Sequence, residues 1–494
     1  MNKTTNRQLL KQFPMRMLRV GNWPAGPVVK IRNPGNHAEV VATVVTVTEA
    51  AVAAMVESAH AAFPAWAATP LAKRLRILHA ALKGLKTDTE RVARIITAEN
   101  GKPLAESRRE IAAALADGFY QLEVARRTRW RVRYCSPAST GRGEVRLFPL
   151  GVFLLVTPWN FPLATLVRKL VPALAFGNTV VAKPSLETPC AVFAFFQLLA
   201  HAGLPAGAAH LVLCSGSLAG RRLVPHPLVR GISFTGSTAV GLGLCRQTAE
   251  QDVRLQLEMG GKNACMVLAD ADLDRAAEAV VTAAFTCAGQ WCTGTSRVIV
   301  EASVHNLFLE KLLTRVREIK VGPGWRSAST MGPITTRQHF QEILEAVRAG
   351  NSAGARLVAG GHSLSPVAGY KGNYLAPTVF DGVTEKMALF REEIFGPVLA
   401  VTTACDAEDA LRLANLSPYG LSVSVFTRSA RKAEQFIQRV ESGLSHWNLH
   451  TAYREPALPI SGWKQSGRGI AECGDQCRQF FTRSRSVYLA DQAG

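Results

Sequence analysis

The sequence predicts an α/β protein with two parallel-sheet units in series. Short apolar runs alternate with stretches of helical spacing from residue 151 onward, which is the pattern of βαβ units. The same alternation resumes after Asn263, without an internal repeat. The length, 494 residues, suggests roughly three domains at about 150 residues each and is ample for a large core.

The elements follow in order. Residues 48–66 form an Ala-rich helix with Thr48 as its N-cap. Residues 71–99 carry apolar side chains at helical spacing and stop before Asn100-Gly101, and 104–127 form a third helix. Strands are expected at 151–156, 179–182, 211–213 and 231–234, each separated by a helix-length segment. Beyond Asn263 come a helix at 274–288, a strand at 297–300 and a helix at 304–317. Residues 321–332, rich in Gly, Pro and Ser, form a surface loop, and 486–489 are a β-like end.

Composition excludes several classes. Apolar residues at 48% and charged residues at 19% describe a globular chain, not a disordered, collagenous or coiled-coil one. Ten cysteines, with no CxxC pair, read as reduced thiols of a cytoplasmic protein rather than a disulfide framework. The net charge is +20, with its tightest runs at 126–133 and 478–485. No RNP, zinc-finger or helix-turn-helix pattern accompanies it, so the charge reads as solvated surface and subunit contact, and no nucleic acid partner is expected. Lys3, Arg7, Lys11, Arg16 and Arg19 give the first twenty residues a faint transit-peptide character without an apolar core, and they read as a tail. Prolines 149, 158 and 162 interrupt the uncharged run 147–167. Gln197, His201 and Gly203-Leu204-Pro205 interrupt 188–220, so both runs read as buried core and no membrane span is expected.

Three apparent motifs fail on context. Gly241 to Arg246 (GLGLCR) lacks the third glycine of a dinucleotide fingerprint and lies inside a helical stretch. Asp270, Asp272 and Asp274 start like a calcium loop, but Arg275 and Val281 stand where glycine and glutamate are needed, so an acidic helix start is the better reading. His446 and His450 sit at a strand end or loop rather than on one helix face, and no metal is expected.

Other segments stand where α/β sheets bind ligands, just past strand ends. Thr157-Pro158-Trp159-Asn160-Phe161-Pro162 follows the 151–156 strand, and Lys183-Pro184-Ser185 follows the next. Thr235-Gly236-Ser237 opens a helix, whose first turn offers N–H groups to a phosphate; the plainer reading is an N-cap at Ser237. Cys292 and Glu258 are a possible nucleophile and base, with Cys287 the competing thiol.

Together these segments resemble the aldehyde dehydrogenase superfamily. PWNFP, KPS, FTGST, LEMGGKN, GQWCT and EEIFGPV occur in that family's order and spacing, and flanking similarity runs from Asn33-Pro34-Gly35 to Ser466-Gly467. The resemblance implies a cofactor domain at 1–125 and 148–257 that binds NAD(P) without the usual glycine fingerprint. It further implies a catalytic domain at 258–440 and a small β oligomerisation arm at 126–147 and 475–494 that builds a homodimer or homotetramer. It implies Cys292 as nucleophile, Glu258 as the base for thioester hydrolysis, and Asn160 with the Cys292 N–H as oxyanion donors. Trp159, Lys183, Gly236, Ser237, Glu393 and Phe395 fall on cofactor positions.

Departures from the family pattern bear on specificity. Leu186 stands where many NAD-preferring members carry a glutamate that repels a 2′-phosphate, with Glu187 one place later, which puts NADP ahead of NAD. Arg168 matches the carboxylate-binding arginine of succinate-semialdehyde dehydrogenases, and a guanidinium fork suits a distal carboxylate. The second arginine of those enzymes is here Thr286, and the surroundings of Cys292 resemble the 2-oxoglutarate-semialdehyde enzymes. The expected substrate is therefore a small carboxylated semialdehyde, such as succinate semialdehyde. The bland reading of Arg168 is a helix salt bridge. Pro459-Ile460-Ser461-Gly462 and Gly469-Ile470-Ala471 also depart from the pattern near the substrate mouth. The alternatives are a general aliphatic or aromatic aldehyde dehydrogenase, a CoA-acylating enzyme (disfavoured by Glu258) and a catalytically idle binding protein.

Overall fold

The structure, a computed structural model, describes residues 17–134 and 141–490. Lys3, Arg7, Lys11 and Arg16 of the basic tail lie outside the described residues. The chain opens with β1 (Met17–Leu18), β2 (Ala25–Asn33) and β3 (Asn36–Val47), which form a three-stranded sheet. Thr48 then caps the helix Glu49–Ala68 by accepting from the Ala51 N–H. The expected helix at 71–99 is two helices, Leu71–Thr87 and Thr89–Asn100. The break falls at Asp88, whose carboxylate binds Arg91; aspartate favours such local bonding over a helix interior. Helix Leu104–Arg127 follows, then β4 (Arg131–Tyr134) and β5 (Gly141–Pro149).

The first parallel sheet comprises β6 (Val152–Thr157), β7 (Thr179–Pro184), β8 (Ala209–Leu211), β9 (Val229–Thr235) and β10 (Arg254–Glu258), in spatial order β8-β7-β6-β9-β10. Along β6, Phe153 and Leu155 pack among helices Leu71–Thr87, Pro162–Ala175 and Cys190–His201, whereas Val152 and Leu154 pack among Glu49–Ala68 and the strand neighbours. Both faces are covered, which is why these strands read as continuous apolar runs. The chain runs outward in one direction from β6 and then returns to start again at β9. The crevice between the carboxyl ends of β6 and β9 is therefore the switch point at which such sheets hold ligands.

The second sheet contains β11 (Ala264–Val267), β12 (Arg297–Glu301), β13 (Arg356–Ala359), β14 (Thr378–Asp381) and β15 (Val398–Ala404). A short β16 (Tyr419–Gly420) precedes its last strands, β17 (Ser422–Phe426) and β18 (Leu444–Trp447). Their order is β13-β14-β15-β12-β11-β17-β18, all parallel but for the β13 edge. The helix expected at 274–288 ends at Phe285, because Cys287, Ala288 and Gly289 turn left-handed at φ 54°, 52° and 69°. After β19 (Trp463–Lys464), β20 (Gly467–Gly469) adds antiparallel to the free edge of β10. The final strand, β21 (Thr482–Ala490), is longer than the expected 486–489. It pairs along the whole of β5, with β4 on the other side, as a separate sheet.

Four arginines of the 126–133 run pair with carboxylates: Arg126 with Glu123, Arg127 with Asp475, and Arg131 and Arg133 with Glu144. Asp272 caps helix Leu273–Phe285 through the Arg275 N–H. The GLGLCR segment lies within helix Thr238–Gln247. The His446 ring is spanned by the carbonyls of Val423 and Tyr453, at 3.2 and 3.0 Å. Among the described residues no helix is long and apolar enough to cross a membrane.

Candidate active site

The loops past β6, β9 and β10 open onto one cavity of about 530 Å³. Trp159, Asn160, Arg168, Gly236, Ser237, Glu258, Cys292, Glu393 and Phe395 all line it. Lys183 does not; it is buried one strand over, paired in register with Val156 at the carboxyl end of β7. Strand pairing puts Glu258 opposite Thr235, and the Glu258 carbonyl accepts from the Gly236 N–H at 3.1 Å. The second sheet meets this crevice with the amino ends of β11 and β12. Asn263, just before β11, donates to the Cys292 carbonyl at 2.7 Å and the Gly294 carbonyl at 2.8 Å, fixing the cysteine loop.

The two competing thiols are separated by backbone. Cys292 faces the cavity, whereas the left-handed turn aims Cys287 inward, where its N–H binds Glu106 at 3.0 Å. Gly289 completes that turn, and a Cβ there would stand 2.2 Å from the Gly396 carbonyl oxygen. Asn160 is held at both ends. Its side-chain amide donates to the Gln290 carbonyl at 2.9 Å, and its own carbonyl accepts from the buried Lys102 ammonium. Lys102 in turn pairs with Glu110 at 2.8 Å, and Glu110 accepts the Leu163 and Ala164 N–H groups at the start of helix Pro162–Ala175. A carboxylate at a helix N-terminus is favourably placed against the dipole.

Electrostatics divide the cavity. Desolvation pushes the Cys292 thiol up to about 12, with Arg168 pulling it down and Glu258 pushing it further up. Desolvation and the nearby Glu472 carboxylate hold the Glu258 carboxyl well above its ordinary range, against Lys169 and Arg168. Arg168 is itself engaged: its Nε reaches Asp117 at 3.2 Å and its Nη1 reaches Glu472 at 3.5 Å, so the salt-bridge reading of this residue describes its contacts. Lys169 pairs with the other Glu472 oxygen and with Ser233 at 2.8 Å.

On the cofactor side, Glu393 accepts the Gly261 N–H at 2.9 Å, and desolvation raises its carboxyl to about 7. Gly260 makes room for it, since a Cβ there would lie 2.0 Å from Glu393 Oε2. Phe395, left-handed at φ 55°, stands edge-on to Trp159 with centroids 5.6 Å apart, and His339 Nε2 bonds its carbonyl at 2.9 Å. Ser237 occupies the N-cap position of helix Thr238–Gln247 without capping it, and the hydroxyl of Thr235 is buried with no partner among the described residues.

The aldehyde dehydrogenase family model matches residues 24–487. The chain belongs to the aldehyde dehydrogenase family. As an aldehyde dehydrogenase it is an NAD(P)-dependent oxidoreductase. It is 37% identical over 476 residues to an alpha-ketoglutaric semialdehyde dehydrogenase of Bacillus subtilis (strain 168), covering 95% of this chain and 96% of the relative. It is 38% identical over 459 residues to a 2,5-dioxopentanoate dehydrogenase of Saccharolobus solfataricus, covering 92% and 95%. A betaine aldehyde dehydrogenase from Staphylococcus aureus, solved in complex with NAD+, superposes with a TM-score of 0.93 at 29% identity, over 99% of this chain and 97% of that one.

The sequence alone did not reveal this aldehyde dehydrogenase's charged partners. Lys102, Asp117, Arg454 and Glu472 reach the site from other parts of the chain, the last two beside the Pro459–Gly462 and Gly469–Ala471 departures, and no local pattern marks these four residues themselves. His339 likewise carried no signal.

Proposed function

We propose that this aldehyde dehydrogenase oxidises a small aldehyde with a distal carboxylate, 2-oxoglutarate semialdehyde above others, to the acid through a thioester on Cys292. The observation that carries this reading is the single cavity that gathers Cys292, Asn160 and Glu258 beside the Gly236–Ser237 turn. The names of the Bacillus and Saccharolobus relatives denote one five-carbon keto acid bearing an aldehyde, which supports the substrate class.

The residues fit a dinucleotide. The Thr235 hydroxyl, with no partner among the described residues, and the uncapped first turn after Ser237 offer polar groups to a ligand at the switch point. Gly236 and Ser237 would face its pyrophosphate, Lys183 and Glu393 its riboses, and Trp159 and Phe395 its nicotinamide. The chemistry a bound NAD(P)+ supplies is hydride acceptance.

The Cys292 sulfur, as thiolate, attacks the aldehyde carbon. The Asn160 amide and the Cys292 N–H donate to the oxygen as it becomes an oxyanion. The thioester left on Cys292 is cleaved by water that Glu258 deprotonates. The raised proton affinity of the buried Glu258 carboxyl suits it to that task.

The test is kcat/KM for 2-oxoglutarate semialdehyde, succinate semialdehyde and butanal with each cofactor. A preference for the carboxylated pair of roughly tenfold or more is expected, the value of a hydrogen bond to a charged group. Equal or better use of butanal would leave a general aldehyde dehydrogenase.

A further inference from the structure

We infer that Arg454 and Arg168, bridged by Asp117, form a two-armed clamp for the distal carboxylate of the substrate, Arg454 being the specificity-determining arm. The inference rests on the carboxylated-substrate reading above. Both arginines line the cavity that holds Cys292. Asp117 is buried behind them, and one of its oxygens, Oδ2, receives Arg454 Nη2 at 2.6 Å and Arg168 Nε at 3.2 Å. Two guanidiniums thus share one carboxylate oxygen. Arg168 and Lys169 likewise share Glu472. In this cluster Arg168, Lys169 and Arg454 meet Asp117 and Glu472, and Glu258, which Arg168 and Lys169 also face, is its third carboxylate. A substrate carboxylate entering the cavity is therefore met by the donors the two guanidiniums keep free rather than by an excess of charge.

The arms also keep donors to spare. The other contact of Arg454 is its Nη1 with the Cys473 sulfur at 3.5 Å, and a thiol is a weak acceptor that a carboxylate readily displaces. A planar guanidinium held on one edge by Asp117 is oriented to offer the remaining N–H groups as a fork. Thr286, which also lines the cavity, supplies no charge, so the second arm comes from the segment that follows β18. No motif marks Arg454.

A purely structural tie between helix Leu104–Arg127 and the 454 segment would burden every substrate alike, and this separates the two roles. The experiment compares succinate semialdehyde with butanal, the same four-carbon chain with and without the carboxylate, for the wild type, Arg454→Met and Arg454→Lys at saturating cofactor. The clamp predicts that Arg454→Met raises KM for succinate semialdehyde roughly tenfold or more, the order expected for a hydrogen bond to a charged group, and leaves butanal within about twofold. Arg454→Lys, which keeps the charge and its pairing with Asp117, shows a smaller rise confined to the carboxylated substrate. It carries the test alone should Arg454→Met not fold. Equal losses on both aldehydes, or no change on either, would overturn the clamp. A wild type without preference for succinate semialdehyde removes the substrate reading and the clamp together, whereas a preference that survives in both variants removes the clamp alone.

Discussion

Cys292 is placed where desolvation opposes its own reactivity. Its thiol is pushed up to about 12, so below that value the proton stays on sulfur and the thiolate is a minor species at neutral pH. The sign is fixed: raising the pH increases the reactive fraction. Alkylation of Cys292 by iodoacetamide in the free enzyme should therefore accelerate about tenfold per pH unit between about pH 7 and 9. Peptide mapping of the labelled cysteine at each pH checks this, and a flat profile would contradict it. The same residue shows what a sequence can and cannot disclose. Cys292 and Cys287 are both cysteines near one helix end, and the family pattern alone ranks them. The structure separates them through a left-handed turn at Cys287 and Ala288, residue types that give no hint of positive φ.

At the scale of elements, Asn160 depends on a helix start it does not belong to. Glu110, from helix Leu104–Arg127, joins the first turn of helix Pro162–Ala175 to the Lys102 ammonium, which in turn holds the Asn160 carbonyl. Both members of that ion pair are buried. Replacing Lys102 with Met leaves Glu110 uncompensated and should cost about 3–5 kcal/mol of stability. Urea unfolding of the variant beside the wild type measures it, and a loss below about 1 kcal/mol, the range of exposed pairs, would show that the pair carries little. Helix Leu104–Arg127 was legible from its apolar spacing, with the same ends. Its inward face of Glu106, Glu110 and Asp117 was not, because charged residues on a helix ordinarily read as solvent-facing.

For the whole molecule, the site exists because two sheets meet end to end: the first presents the carboxyl ends of β6, β9 and β10, and the second the amino ends of β11 and β12. Strand-end loops such as Trp159-Asn160 and Gly236-Ser237 could be found from sequence, since a strand followed by a small-residue turn and a helix is a local pattern. The union of β20 with β10, which brings Glu472 toward Glu258, joins residues 256–258 to 467–469 across a long stretch of chain and has no local sign. Cofactor choice belongs to this scale. Leu186 packs against the core beyond β7 and leaves its position without a carboxylate, so Leu186→Glu should raise KM for NADP at least about tenfold while sparing NAD, as like-charge repulsion is worth several kcal/mol at an interface. Initial rates with each cofactor report it, and parallel changes in both would count against the assignment.

The most direct test of the central claim is to trap the covalent intermediate. Glu258→Gln should load substrate and stall before hydrolysis. When it is mixed with 2-oxoglutarate semialdehyde and NAD+ or NADP+, then acid-quenched and digested, the peptide containing Cys292 should carry one acyl group per subunit. The wild type should carry almost none while releasing acid. An adduct on Cys287, or acid formed by a Cys292→Ala variant, would contradict the thioester account.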